Sequence, residues 1–271
     1  MSGFSAEWLA LRAGADRQAR APLLLRAVRH RLAGRQAYGK PLHIVDLGAG
    51  TGGTLRLLAP LLPSPQSWRL IDNDATLLAS ATRLPRRGKQ IVVRRLCADL
   101  ADTRRLPELL RGGDLITASA LFDLVSEDWC RQLLGAAACP GVTFYAALTY
   151  DGRVVLHPPD PFDAVALALF DQHQHADKGF GHALGPGARA ALVRIAAASG
   201  AVVRTARSDW RLTPGDAHLL QLLVSGWAEA AREIEPEATE AINSWMARRF
   251  EAIKARCLRA RVGHRDVLAC W

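Results

Sequence analysis

The chain has 271 residues, of which 49% are hydrophobic, so it can bury the core of one large domain. No apolar run approaches the roughly 20 residues of a membrane span, and the first residues lack a signal-peptide pattern. We therefore expect a cytoplasmic protein that does not associate with a membrane. The five cysteines are odd in number and form no C-x-x-C pair, which argues against a disulfide framework and a regular zinc site.

The formal net charge of +9 raises the question of a nucleic-acid partner, because clustered cations gain affinity by releasing phosphate counterions. The basic residues are almost all arginine and are spread along the chain, with short concentrations at 83–89, 94–95 and 248–261. The last of these would cover the outer face of a helix. We therefore interpret the charge as a solvated surface and do not expect nucleic acid, with RNA kept as the alternative.

Two helices are predicted before the first strand, over 4–11 and 19–32. Leu24, Val28 and Leu32 recur at helical spacing and form one apolar stripe. Arg12 and Asp16 are spaced as an i, i+4 ion pair, which is typical of a structural helix.

The stretch from His43 to Thr54 reads HIVDLGAGTGGT and predicts a strand, a glycine turn and the start of a helix. A turn of this kind needs glycine where a Cβ would block the backbone angles or the approach of a ligand. Its backbone N–H groups would face that ligand. The glycine spacing departs from G-x-G-x-x-G, the pattern of nicotinamide and flavin sites, because the third glycine falls one residue early.

Three more strands are predicted over 68–71, 90–96 and 114–118, and each is followed by polar residues. Ligands of open parallel sheets collect at the carboxyl ends of the strands. The residues at these ends are therefore candidates for a ligand site, with an N-cap or a turn as the plain structural alternative.

The run from Asp46 to Gly52 closely resembles motif I of the class I S-adenosylmethionine (SAM) dependent methyltransferases, which has an acid, an apolar residue and G-x-G-x-G. The resemblance implies SAM as cofactor and S-adenosylhomocysteine (SAH) as product. It places Asp72 against the ribose hydroxyls and Asp99 against the adenine amino group. The implied cofactor residues are Asp46, Gly48, Ala49, Gly50, Thr51, Gly52, Asp72, Asn73, Asp99, Leu100 and Ser119.

The residues after the fourth strand read SALF and lack the two prolines of enzymes that methylate exocyclic or amide nitrogens. Asp123 is a candidate to bind or deprotonate the substrate, with a helix cap as the alternative. In the same fold the N-terminal helices often cover the cofactor pocket. A mouth formed by this helix would include Trp8, Arg12, Asp16, Arg17 and Arg20.

A segment rich in histidine and glycine follows the predicted fifth strand, 141–148, and a helix over 160–170. We interpret it as a substrate lid with polar anchors and keep a metal site and a solvated loop as alternatives. Because the histidines lack regular ligand spacing, no metal is expected. The candidate catalytic residues are His173, His175, Asp123 and Tyr150.

Further helices are predicted over 188–199, 216–234 and 236–260, with a strand at 201–212 and a last strand at 264–269 that returns antiparallel beside the sixth. The predicted fold class is α/β, a three-layer αβα sandwich with a seven-stranded, mostly parallel sheet and a helical cap. We expect a single domain, with an N-terminal helical cap at 1–40, a SAM-binding core at 41–150, a lid insertion at 151–187 and the rest of the sheet at 188–271.

The hypothesis from the sequence is methyl transfer to an oxygen or nitrogen of a small polar metabolite enclosed by the cap. Methylation of RNA is the first alternative, and the second is a SAM-binding protein without transfer activity. The sequence does not indicate an oligomeric state.

Overall fold

The computed structural model describes residues 5–34, 40–81 and 90–271. The helices in these ranges are α1 (Ala6–Ala19), α2 (Pro22–Ala33), α3 (Gly53–Leu58), α4 (Ala75–Ser80), α5 (Leu106–Leu110), α6 (Glu127–Ala137), α7 (Asp163–His173), α8 (Ala188–Ala198), α9 (Ala217–Ile234) and α10 (Thr239–Lys254). The strands are β1 (Leu42–Leu47), β2 (Gln66–Asp72), β3 (Ile91–Cys97), β4 (Leu115–Ser119), β5 (Thr143–His157), β6 (Val202–Arg207), β7 (Trp210–Leu212) and β8 (Arg259–Cys270). The basic run 83–89 lies outside the described residues.

The sheet has the strand order β3-β2-β1-β4-β5-β8-β6, with the short strand β7 beside β8. Strands β1 to β5 are parallel, and β8 runs antiparallel between β5 and β6. The predicted parallel sheet with an antiparallel last strand is confirmed. The strand predicted over 201–212 is instead two strands, because Ser208 and Asp209 interrupt the pairing with β8. The Ser208 N–H donates to the His264 carbonyl, and the Asp209 carboxylate accepts the His264 N–H.

Strands β5 and β8 are longer than predicted and form an antiparallel ribbon beyond the edge of the parallel sheet. They pair as far as His157 with Arg259, and the register shifts between Tyr150 and Val154. This bulge accommodates Gly152 at φ 80°, so a D-G sequence that reads as a turn lies within a strand. Residues 151–157, predicted as part of the lid, therefore belong to β5, and the last helix ends at Lys254 rather than at 260.

The buried apolar side chains form three groups. One lies between the sheet and α5, α6 and α8, and the second lies on the opposite face against α2, α3 and α4. These two confirm the three-layer arrangement. The third lies between the ribbon and the cap helices α1, α7, α9 and α10. No helix in the described ranges has the length and apolar character needed to cross a membrane.

The start of α2 is attached to the sheet through Asp266, a fully buried residue of β8. Its carboxylate accepts hydrogen bonds from the Ala21 amide at 3.0 Å, the Tyr145 hydroxyl at 2.6 Å and the Leu148 amide at 2.9 Å. Because Ala21 lies between α1 and α2, these bonds hold the junction of the two helices against the sheet.

Candidate functional site

A cavity of 1510 Å³ lies at the carboxyl ends of β1, β2 and β4. It is lined there by the glycine turn, by Asp72 and by Ser119, and it continues along residues of α1, α7 and α9. This is the position at which open parallel sheets bind ligands. All five residues of the predicted mouth line it, and Arg12 and Asp16 also form the predicted ion pair, at 3.0 Å.

The glycine turn needs its glycines. Gly48, Gly50 and Gly52 have φ of 60°, 50° and 76°, in the left-handed region that side chains disfavour. A Cβ on Gly50 would lie 3.0 Å from Leu9 of α1, and one on Gly52 would lie 3.1 Å from the Cβ of Ala81. The turn therefore packs closely against α1 and the end of α4.

Asp72 connects the end of β2 to this turn. Its Oδ2 accepts the Gly50 N–H at 2.7 Å, and its Oδ1 accepts the Asp74 N–H at 3.0 Å. Each carboxylate oxygen can accept more than one hydrogen bond, and Asp72 lines the cavity. Asp72 can thus hold the turn and bind a ligand at the same time. Asp74 caps α4, as its sequence position predicts.

Two ionisable side chains, an acid and a base, are buried beside the turn without forming an ion pair with each other. Asp46 is 1% exposed, and neither of its carboxylate oxygens has a hydrogen-bond partner among the described residues. Arg20 is 5% exposed, and its guanidinium donates to the Ser119 hydroxyl at 2.8 Å, whereas Nε and Nη1 have no partner in the described ranges. Burial raises the pKa of Asp46 to about 8, with Arg20 opposing the rise and Asp72 adding to it.

This burial makes the stability of the ligand-free protein depend on pH. Between the ordinary pKa of 3.8 and about 8, Asp46 is protonated in the folded chain and ionised in the unfolded one, so its contribution falls as the pH rises. We expect Asp46→Asn to reduce the loss of stability between pH 5 and pH 8 by about 3–4 kcal/mol, measured by urea unfolding. Parallel pH curves for the two proteins would contradict a protonated Asp46.

The remaining predicted cofactor residues divide into two groups. Ala49, Thr51, Asn73, Leu100 and Ser119 line the cavity. Asp99 is exposed, does not line the cavity and accepts the Ala101 N–H at 2.9 Å, which is the turn arrangement considered as its alternative. Gly52 precedes α3 and does not itself line the cavity.

Asp123 and Tyr150, two of the candidate catalytic residues, both line the cavity. Burial raises the pKa of Asp123, and its Oδ1 has no hydrogen-bond partner among the described residues. The Tyr150 hydroxyl donates to Asp171 at 2.7 Å, and burial with this carboxylate raises its pKa far above the ordinary value. Tyr150 therefore stays protonated, and its proton is already shared with Asp171.

The two candidate histidines are separated. His173 lines the cavity, where Nε2 lies 2.9 Å from Glu233 of α9 and Nδ1 lies 3.5 Å from the ammonium of Lys178. His175 does not line it, because its ring stacks on His182 at 5.7 Å and its Nδ1 lies 3.2 Å from a backbone carbonyl. Within the described ranges no group of three metal-ligating side chains is present.

A row of aromatic rings lines the part of the cavity next to the ribbon, and the sequence gives no signal for it. Consecutive centroids are 6.3, 5.7, 6.2 and 5.1 Å apart. We call this row the aromatic wall; its members, in order, are Trp227, Phe170, Tyr150, His264 and Trp210. The Arg12 guanidinium lies 5.0 Å from the centroid of the last ring and extends the row to α1.

His264 is the polar member of the aromatic wall. It is 6% exposed, and its Nδ1 is buried without a hydrogen-bond partner in the part of the chain that is described. Burial, with the nearby Arg12 charge, lowers its pKa to about 4, so the imidazole is neutral at ordinary pH. Its position in the last strand gives no sign of this role, because the rings around it come from other elements.

No protein-family model matches the chain, and no curated protein matches it. Among solved structures, it is similar to a cyclopropane-fatty-acyl-phospholipid synthase-like protein from Lactobacillus casei, with 17% identity, a TM-score of 0.52 and coverage of 99% of this chain and 95% of that one. Two further similar structures are the cyclopropane synthase MmaA2 from Mycobacterium tuberculosis (13% identity, TM-score 0.47, covering 91% and 83%) and a SAM-dependent methyltransferase from Geobacter sulfurreducens in complex with SAH (12%, 0.45, 99% and 99%).

The chain has the fold of the class I methyltransferases. The cavity has two parts, which we name for the roles that we propose for them. The cofactor half is formed by the glycine turn at 48–52, the ends of β2 and β4, and Leu100. The acceptor chamber is formed by the aromatic wall, α1 and the α9 residues 222–230 that face the cavity. The two parts meet at Ser119, Leu121 and Leu148.

Proposed function

We propose that the chain binds SAM in the cofactor half and transfers its methyl group to a small molecule held in the acceptor chamber. The observation that carries this proposal is one continuous cavity, with the glycine turn and Asp72 in one part and the aromatic wall in the other. SAM brings an already activated methyl group, so the protein has to orient the acceptor and exclude water.

The polar groups of the cofactor half fit the polar parts of SAM. The Asp72 carboxylate has unused acceptor capacity for the two ribose hydroxyls, and the apolar Leu100 suits the adenine ring. The Arg20 guanidinium, which lines the cavity, complements the carboxylate at the amino-acid end of SAM. The Asp46 carboxyl group, buried in β1 and outside the cavity lining, complements the ammonium of that end once it is ionised. Buried polar groups without partners cost free energy, which such a ligand would offset.

The acceptor atom in this proposal is an oxygen or nitrogen of a small molecule, as the sequence predicted. The chamber changes the expected character of that molecule. Aromatic and aliphatic side chains cover most of its wall, and Arg12 is neutralised by Asp16. A molecule with an apolar body and one polar group fits this lining better than a wholly polar metabolite.

RNA methylation finds less support. The chamber is covered by α1, α7 and α9, and two cations of the basic helix α10 are engaged within the protein. Arg248 bonds to Asp160 at 2.6 Å, and Arg249 bonds to Asp163 at 2.8 Å. These contacts reduce the charge left for phosphates. For a SAM-binding protein without transfer activity, a second lined space beside the cofactor half is not required, so the aromatic wall favours an enzyme.

The test is calorimetric titration with SAM and SAH, with NAD as the control ligand. We expect both adenosyl ligands to bind, and Asp72→Ala to weaken SAH binding at least tenfold, because hydrogen bonds to a charged group contribute about 1.5–3 kcal/mol. The Asp102→Ala variant, at a half-buried position outside the cavity lining, is the matched control and should bind SAH like the wild type. Failure to bind SAH, or a preference for NAD, would overturn the proposal.

A further inference from the structure

The aromatic wall is continuous across four elements. Its rings come from α9, α7, the β5–β8 ribbon and β7, and each contacts the next in an edge-to-face or tilted arrangement. All of them line the cavity. Aromatic rings that are held by neighbours present a fixed apolar surface, which favours flat apolar ligands.

Most hydrogen-bonding groups of the aromatic wall are already engaged. The Tyr150 hydroxyl donates to Asp171, and the Trp210 indole donates to Asp16 at 3.1 Å. The Trp227 indole N–H can only donate. Two groups of the wall can therefore accept a hydrogen bond from a ligand hydroxyl, the Tyr150 oxygen and His264, and of these only His264 has a buried nitrogen, Nδ1, without a partner among the described residues.

His264 also lies close to the boundary with the cofactor half. In the ribbon it pairs with Tyr150, three residues beyond Ala147, which pairs with Ser119 at the end of β4. Three residues of strand span roughly 10 Å. A ring molecule in contact with His264 therefore reaches the junction at which the two halves meet.

We propose that the acceptor is a flat, uncharged ring compound of the phenol class, and that His264 accepts a hydrogen bond from its hydroxyl group. The inference rests on the proposed function and makes His264 the residue that selects the polar group of the acceptor. The aromatic wall itself offers no unpaired charge to a carboxylate or phosphate, because Arg12 is paired with Asp16 and the His264 imidazole is neutral. The cations Arg17, Arg20 and Lys178 line the same cavity but do not belong to the wall. Asp123, which lies near Tyr150 and also lines the cavity, is the competing hydroxyl partner.

The test compares 2-naphthol with its methyl ether, which has the same rings but no donor, for binding to the SAH-loaded protein by calorimetry. In His264→Phe, which keeps a ring and removes both nitrogens, we expect 2-naphthol to bind about tenfold more weakly and the ether to bind unchanged. Trp227→Ala should weaken both ligands alike, because it removes part of the apolar surface. His30→Phe, at an exposed site on α2, is the matched control.

The possible results separate the two proposals. The role of His264 would be overturned if His264→Phe weakened 2-naphthol and its ether equally. It would also be overturned if Asp123→Asn, and not His264→Phe, abolished the preference for 2-naphthol over the ether. A protein that binds SAH but neither naphthalene compound would overturn the phenol class and leave methyl transfer standing. A protein that does not bind SAH would overturn the proposed function, and the acceptor inference with it.

Discussion

Replacing Asp266 by alanine is expected to lower the free energy of unfolding by about 3–5 kcal/mol, measured by urea denaturation. The carboxylate is fully buried and accepts from two backbone amides and one hydroxyl. Its removal leaves these donors buried without a partner, and each such group costs about 1–3 kcal/mol. Because one donor is the Ala21 amide at the start of α2, the loss should also loosen α1 over the cavity and weaken SAH binding.

Two further variants show whether the network or the mere change of residue is responsible. Tyr145→Phe removes one of the three donors and should cost about 1 kcal/mol. Glu229→Ala, at an exposed position of α9, should stay within about 0.5 kcal/mol of the wild type. An Asp266→Ala protein as stable as the Glu229→Ala protein would show that the buried carboxylate does not hold the junction.

The cofactor half could be predicted from the sequence because its signals are local. The glycines that need positive φ lie within five residues of one another, and the strand and helix on either side carry their own periodicity. Helix α6 is a similar case: the sequence over 127–137 predicts a helix, and the helix spans Glu127–Ala137, with the Ser126 hydroxyl accepting the Trp129 N–H at 3.2 Å. Both elements are specified by neighbours in sequence.

The acceptor chamber could not be predicted, because its parts meet only in the folded chain. The D-G pair at 151–152 reads as a turn, but Asp151 is bonded to Arg153 and to Arg265 of β8, 114 positions away. These ion pairs belong to the ribbon that holds Tyr150 beside His264. His175 shows the converse, since a histidine close to the site in sequence lies against His182 and outside the cavity.

Replacing Arg20 by methionine is expected to weaken SAH binding about 100-fold and to leave the binding of 5′-methylthioadenosine unchanged. The second ligand keeps the nucleoside and the sulfur but lacks the amino-acid end. If the unpartnered guanidinium nitrogens bind the carboxylate of that end, only ligands that carry it lose affinity. Loss of two charge-assisted hydrogen bonds corresponds to about 3 kcal/mol, or two orders of magnitude in affinity.

The comparison of the two ligands distinguishes a contact with the amino-acid end from a structural role of Arg20. Arg20 also donates to Ser119, so a purely structural role would disturb the junction between the cavity halves and weaken both ligands together. Arg26→Met, an exposed change on α2, is the matched control and should affect neither. Asp46→Asn should reproduce the selective loss for SAH to a smaller degree, because an amide keeps an acceptor for the ammonium while the charge is lost. Equal losses for SAH and 5′-methylthioadenosine in Arg20→Met would instead assign Arg20 to the packing of α1 against the sheet.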